Sequence, residues 1–116
     1  MSKEIRRFGY AFKGIFAAFK SETHLKVHTV IALTVCFLGF VFNISATEWA
    51  ICLLCIGLVI GMELLNTAIE KVVDLISPQY NALAGAAKDI AASAVLVCAI
   101  VSIVIGMIIF APKVFF

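Results

Sequence analysis

The chain has 116 residues, 64% of them hydrophobic and only 14% charged, with a net charge of +2. An ordinary soluble domain carries about 25% charged residues. A single domain of this length cannot bury so much apolar surface in its own core, so the composition excludes a water-soluble globule and points to an all-α protein in a bilayer.

Residues 3–20 come first. Ile5, Phe8, Phe12, Ile15, Phe16 and Phe19 fall within about 100° on a helical wheel. Lys3, Arg6, Tyr10, Lys13 and Lys20 occupy the other side. The pattern predicts an amphipathic helix lying in the membrane surface, phenylalanines down and cations up. The segment does not read as a cleaved signal peptide, because its charges recur up to Lys26 and the apolar run starts late. Gly14-x-x-x-x-Phe19-Lys20-Ser21 is a near miss to a phosphate-binding loop. It fails because Phe19 stands where glycine must let the backbone approach phosphate, and no strand precedes it.

Residues 27–44 form the first predicted span. His24 and His28 are four apart and share a helix face. Two histidines alone make a poor metal site, and placement at the membrane interface explains them. Asn43 to Glu48 reads as a tight turn, with Ser45-x-x-Glu48 as a capping box and Trp49 as an aromatic-belt residue. The second helix, residues 47–76, is stopped by Ser77-Pro78. At thirty residues it measures about 45 Å, against a hydrocarbon core of about 30 Å. The excess must protrude. The third helix is predicted over residues 81–111. Its small residues, among them Ala91, Ala92, Ser93 and Gly106, suit close helix packing. The four cysteines lie inside apolar runs. Cys52-x-x-Cys55 has no second pair beside it and reads as packed or lipid-facing thiols.

Basic residues set the expected orientation. Six of the nine Lys and Arg residues precede the first span, Lys71 and Lys88 lie between the second and third, and only Lys113 follows. By the positive-inside rule the N-terminus is cytoplasmic and the C-terminus outside.

The long second helix carries the unusual chemistry. Glu63, Asn66, Glu70 and Asp74 fall within roughly 80° of one another, a polar stripe about 16 Å long. Glu63 is expected roughly 24 Å along the helix, near the inner boundary, with Glu70 and Asp74 in water. Glu22, Lys88 and Asp89 gather at the same level. Carboxylates are hard oxygen ligands that suit Mg²⁺ together with substrate phosphates, and lysine stabilises phosphate charge. The set suits phosphoryl transfer from a soluble Mg-nucleotide to a hydroxyl held at the interface. Proton or cation conduction could use the same stripe.

The run Glu63-Leu-Leu-Asn66-Thr-Ala-Ile-Glu70-x-Val-Val-Asp74, followed by Ala87-Lys88-Asp89 and Ala94-Val95-Leu96, resembles the signature of the bacterial integral-membrane diacylglycerol kinases and their undecaprenol kinase relatives. Ala11-Phe12-Lys13-Gly14, Ser21-Glu22, Thr47-Glu48-Trp49 and Pro112-Lys113 extend the resemblance over nearly the whole chain. It implies a three-span lipid kinase of the bacterial inner membrane, working as a homotrimer with sites shared between subunits. It implies Glu63 as the base that takes the proton of the lipid hydroxyl, with Asn66 beside it. Glu22 and Glu70 would hold Mg²⁺ against the phosphates of ATP. Tyr10, Gln79, Tyr80, Asn81, Lys88 and Asp89 would complete the nucleotide site, and Trp49 and Ala92 the lipid surface. His24 stands where many relatives carry Asn, and Gly85 where many undecaprenol kinases carry Lys. The tail and the Thr-Glu-Trp turn lean toward undecaprenol as acceptor, with diacylglycerol as the alternative. A non-enzymatic conductance or assembly protein is the reading from another class.

Overall fold

The computed structural model describes residues 2–116, which form four helices and, among the described residues, no strand. α1 is Lys3–Ser21, α2 Thr23–Val41, α3 Ala46–Ile76 and α4 Ala82–Phe115. The last three are long and apolar enough to cross a membrane. The expected three spans and N-terminal helix are therefore present.

The helix ends follow local chemistry. Ser2 caps α1 by accepting the Ile5 N–H at 3.3 Å. Glu22 alone is extended (φ −116°, ψ 113°) and separates α1 from α2. The helix containing the first span thus begins at Thr23, four residues before its expected apolar start at 27. It also ends earlier, at Val41 rather than 44. Asn43 takes the left-handed conformation (φ 52°), which an asparagine tolerates better than most residues, and the chain turns there. The Ile44 N–H then reaches back to the Gly39 carbonyl at 3.1 Å. The Ser45–Glu48 capping box is formed in both directions, as its spacing predicts. α4 runs on to Phe115 instead of stopping at 111, with Pro112 inside it. Pro112 has no N–H to give the carbonyl four residues back, yet the helix continues one turn beyond it, the Phe116 N–H reaching the Pro112 carbonyl at 3.0 Å.

α3 is the hub. It packs against α4, α2 and α1, whereas the backbones of α2 and α4 do not approach one another. The ends of α2 and α3 meet closely. A Cβ at Gly39 would lie 2.7 Å from Trp49 Cη2, so glycine is what admits the indole here. Ile44, Cys52 and Ile109 form a small core below it, flanked by Phe42, Trp49 and Phe110. Lys113 Nζ sits 3.1 Å from Glu48 Oε2 and ties the end of α4 to the start of α3.

The molecule is a slab of 53 × 43 × 20 Å with a radius of gyration of 17.2 Å. A compact globule of this length would measure about 13 Å. The accessible surface is 8488 Å², against about 6,200 Å² for a folded soluble monomer of the same mass. The long axis matches α4, about 51 Å at 1.5 Å per residue. Three adjacent spans occupy roughly 30 Å across, so the 43 Å dimension is met by α1 projecting to the side. Phe8, Phe12 and Phe16 are each 60% exposed or more on it, facing away from the other helices.

Glu48→Gln retains a capping side chain but loses the ion pair with Lys113. It is expected to lower the thermal midpoint modestly. Paired melts of the variant and wild type in detergent check this.

Candidate functional site

Glu63 lies past the middle of α3 and is 4% exposed; Asn66, one turn on, is 8% exposed. Thr67 is buried beside them and donates its hydroxyl to the Glu63 carbonyl at 3.0 Å. Glu70 is half-buried and Asp74 exposed. Burial thus decreases along the stripe, from a carboxylate sealed among helices to one in water. Asn66 Nδ2 donates to Glu70 Oε1 at 3.3 Å, while its Oδ1 is buried with no partner. An unpaired buried amide oxygen is unfavourable unless a further donor or a cation meets it. Asn66 thus lies between Glu63 and Glu70, which stand about 10 Å apart along the helix axis, and is hydrogen-bonded to Glu70 alone.

The structure also places His28 against this stripe. Its Nε2 is 3.7 Å from Glu63 Oε2, across the α2–α3 contact. The sequence pairs His28 with His24 and explains both by the interface. In the fold they diverge: His24 is exposed and His28 half-buried. Only the register of α2 on α3 decides that, and nothing local in the sequence encodes it.

Where α3 gives way to α4, a second group assembles. Asp74 and Lys88 form an ion pair, and the hydrogen bond that Lys88 donates to Asp74 raises the Lys88 pKa above its ordinary value. With Gln79, Tyr80, Asn81 and Gly85 they line a shallow hollow of about 160 Å³. Asn81 also caps α4, accepting the Leu83 and Ala84 N–H groups at 2.9 and 3.2 Å. A Cβ at Gly85 would meet nothing within 4 Å, so packing does not require glycine there. Most of the expected nucleotide residues are thus neighbours in space. Tyr10 is exposed on α1, and Asp89 is exposed outside the hollow. Glu22 is half-buried at the α1–α2 junction. Trp49 is not brought to Glu63: fourteen residues separate them, about 21 Å along α3. Ala92 is exposed on α4.

On the bilayer side of Glu63 runs an apolar groove of about 290 Å³. α3 lines it with Cys52, Cys55, Ile56, Val59 and Ile60, and His28 stands on its α2 wall. Glu63 follows Val59 and Ile60 by one helical turn, so the groove leads toward the carboxylate.

Among the described residues no three His, Cys, Asp or Glu side chains converge as a metal cage. A hard cation that takes most of its oxygens from water and phosphate needs only one or two carboxylates. Glu70 beside the unpartnered Asn66 oxygen fits that more modest demand.

A buried carboxylate, a graded acidic stripe and three spans define a membrane enzyme acting where lipid meets water. The model of prokaryotic diacylglycerol kinase matches residues 9–110. The chain is 42% identical over 113 residues to the undecaprenol kinase of Bacillus subtilis, covering 97% of this chain and 92% of that one. It is 39% identical over 100 residues to a diacylglycerol kinase of Synechocystis, covering 85% of this chain and 57% of the relative. It is 34% identical over 100 residues to the diacylglycerol kinase of Escherichia coli K12, covering 86% and 82%. The chain belongs to the prokaryotic diacylglycerol kinase family. It is a multi-pass membrane lipid kinase, a phosphotransferase with an alcohol acceptor and ATP as donor.

α1 offers a direct test of site placement. Burying a phenylalanine contributes on the order of 1.5–3 kcal/mol, and Phe12 lies on the apolar face opposite Tyr10. Phe12→Asp is expected to lift α1 locally and to reduce both nucleotide affinity and rate. Tyr10→Ala is expected to raise the nucleotide KM with a smaller effect on kcat. Steady-state kinetics of both variants in bilayers decide; full activity of Phe12→Asp would make α1 dispensable.

Proposed function

We propose that the protein phosphorylates undecaprenol at the cytoplasmic face of the bacterial inner membrane, recycling a lipid carrier. The reading is carried by the buried Glu63 at the end of the apolar groove, where a lipid hydroxyl arriving from the bilayer would meet it. It is supported by the 42% identity to an undecaprenol kinase across nearly the whole of both chains. Diacylglycerol is the second reading, favoured by the names of the relatives from Synechocystis and Escherichia coli.

Glu63 accepts the proton of the lipid hydroxyl as that oxygen attacks the γ-phosphorus of ATP in line. A new P–O bond forms, the bond to the β-phosphate oxygen breaks, and ADP leaves. Catalysis of this kind is positioning plus charge stabilisation. Asn66 and Glu70 stand between the hydroxyl and the aqueous end of the stripe. Glu70 and Glu22 would hold Mg²⁺, which neutralises phosphate charge when bound. Lys88 and Asp89, with Tyr10, Gln79, Tyr80 and Asn81, complete the nucleotide site, and Trp49 and Ala92 belong to the lipid surface. A homotrimer with sites shared between subunits suits a slab only 20 Å thick with so little core of its own.

Glu63→Gln is expected to abolish turnover with nucleotide binding nearly intact. Glu70→Ala and Glu22→Ala are expected to weaken Mg-nucleotide binding, read by titration over a range of magnesium. Assaying undecaprenol and diacylglycerol side by side in one membrane mimic ranks the acceptors. Equal or greater turnover of diacylglycerol would overturn the undecaprenol reading.

Orientation follows from eight basic residues on the N-terminal and 71–89 side against Lys113 alone on the other. A cysteine placed near Phe116, in a background without the native cysteines, is expected to react with an impermeant thiol reagent from outside the cell. Reaction from the cytoplasmic side alone would reverse the topology.

A further inference from the structure

Each turnover in the mechanism above leaves one proton on Glu63, and Glu63 is 4% exposed. That proton must reach water before the next cycle. Among the described residues, the one ion-pairing partner found for Glu63 is His28, at 3.7 Å. His28 lines the apolar groove beside Glu63, its side chain 21% exposed there against 5% for Glu63. An imidazole can take a proton on one nitrogen and release one from the other. The separation is somewhat long for a hydrogen bond, but such contacts in unliganded enzymes are often long and tighten in the reacting complex.

We propose that His28 is a positioning residue for Glu63. It holds the carboxylate toward the lipid hydroxyl and receives the proton that Glu63 has taken from it. The balance is simple: the hydroxyl proton passes to Glu63 during transfer and on to His28 Nε2, which carries it as imidazolium until the products leave and water enters the site. No oxidant, metal or further reactant enters. The inference rests on Glu63 as the base.

The surroundings of His28 make the assignment specific. From α3 it faces Glu63, with the Cys52 and Cys55 thiols farther along the groove. From α4 the groove receives Ser102 and no charged side chain, and α1 lines none of it. On α2 itself, His24 lies one turn away and is exposed.

The test uses the full chain in a membrane mimic, with His28→Gln, His28→Ala and Glu63→Gln measured together. Glutamine keeps an N–H donor near the position of Nε2 but cannot take up a proton. His28→Gln is expected to lower kcat by about ten- to a hundredfold, at or below the usual range for lost acid–base help, with the nucleotide KM unchanged. Glutamine has no protonation step, so the variant is also expected to change the shape of the pH–rate profile. Imidazole in the buffer is expected to restore much of the rate of His28→Ala. Wild-type kcat and pH profile in His28→Gln, with Glu63→Gln inactive, would overturn the role of His28 and leave Glu63 as the base. Slow His28 variants with an unaltered profile and no imidazole rescue would show a packing residue and also overturn it. An active Glu63→Gln would overturn the base assignment itself.

Discussion

A hydrocarbon core of about 30 Å takes up roughly twenty helical residues, and α3 has 31. Everything distinctive about the molecule depends on where the surplus goes. The start of α3 is pinned by the Ser45–Glu48 capping box, the Lys113 ion pair and the insertion of Trp49 against Gly39. With that end fixed, the surplus emerges at the other. Twenty residues from Ala46 reach about Leu65, which sets Glu63 in the last membrane-embedded turn and carries Glu70 and Asp74 toward water. Burial among the helices falls in the same direction, from Glu63 to Asp74.

That geometry meets a chemical need. The two substrates come from different solvents, a lipid alcohol from the bilayer and a nucleotide from water. A base wholly in water would be screened from a buried hydroxyl, and one at mid-membrane could not be reached by nucleotide phosphates. The boundary turn is where both can approach. Asn66 connects the two regimes, with its amide nitrogen on Glu70 and its orphaned oxygen still buried.

Much of this was legible in sequence because it depends on spacing within one helix. The stripe is a period-3.6 pattern, the capping box a four-residue motif, and Ser77-Pro78 a local stop; all three appear where expected. What was not legible depends on one helix meeting another. His28 reaches Glu63 across 35 positions of chain, and Lys113 reaches Glu48 across 65. A lone histidine in an apolar run looks the same whether it faces lipid or a carboxylate. The early end of α2 was missed for a subtler reason: apolarity continues through Ile44, but a left-handed Asn43 turns the chain regardless. α4 likewise runs past its expected end at 111, with Pro112 inside it.

The groove below Glu63 bears on how one family can serve different lipid alcohols. Its walls carry branched aliphatics, thiols and alanines, with His28 and Ser102 as its main polar features. Such walls bind by area and shape, and one methylene more or less changes binding by only about 1–3 kcal/mol. A groove of about 290 Å³ open to the bilayer can seat only the part of a long chain nearest the hydroxyl and leaves the rest among lipids. Chain length beyond that part therefore goes largely unread. Discrimination between a polyprenyl alcohol and a glyceride must act within a few atoms of the reacting oxygen, where the glyceride carries ester groups that need hydrogen-bond partners. A site built to hydrogen-bond a substrate group discriminates far more strongly than one that reads a single methylene. On the proposed reading, His28, the polar side chain of the groove packed against Glu63, is better placed to bear on acceptor choice than the aliphatic walls or the exposed Ala92.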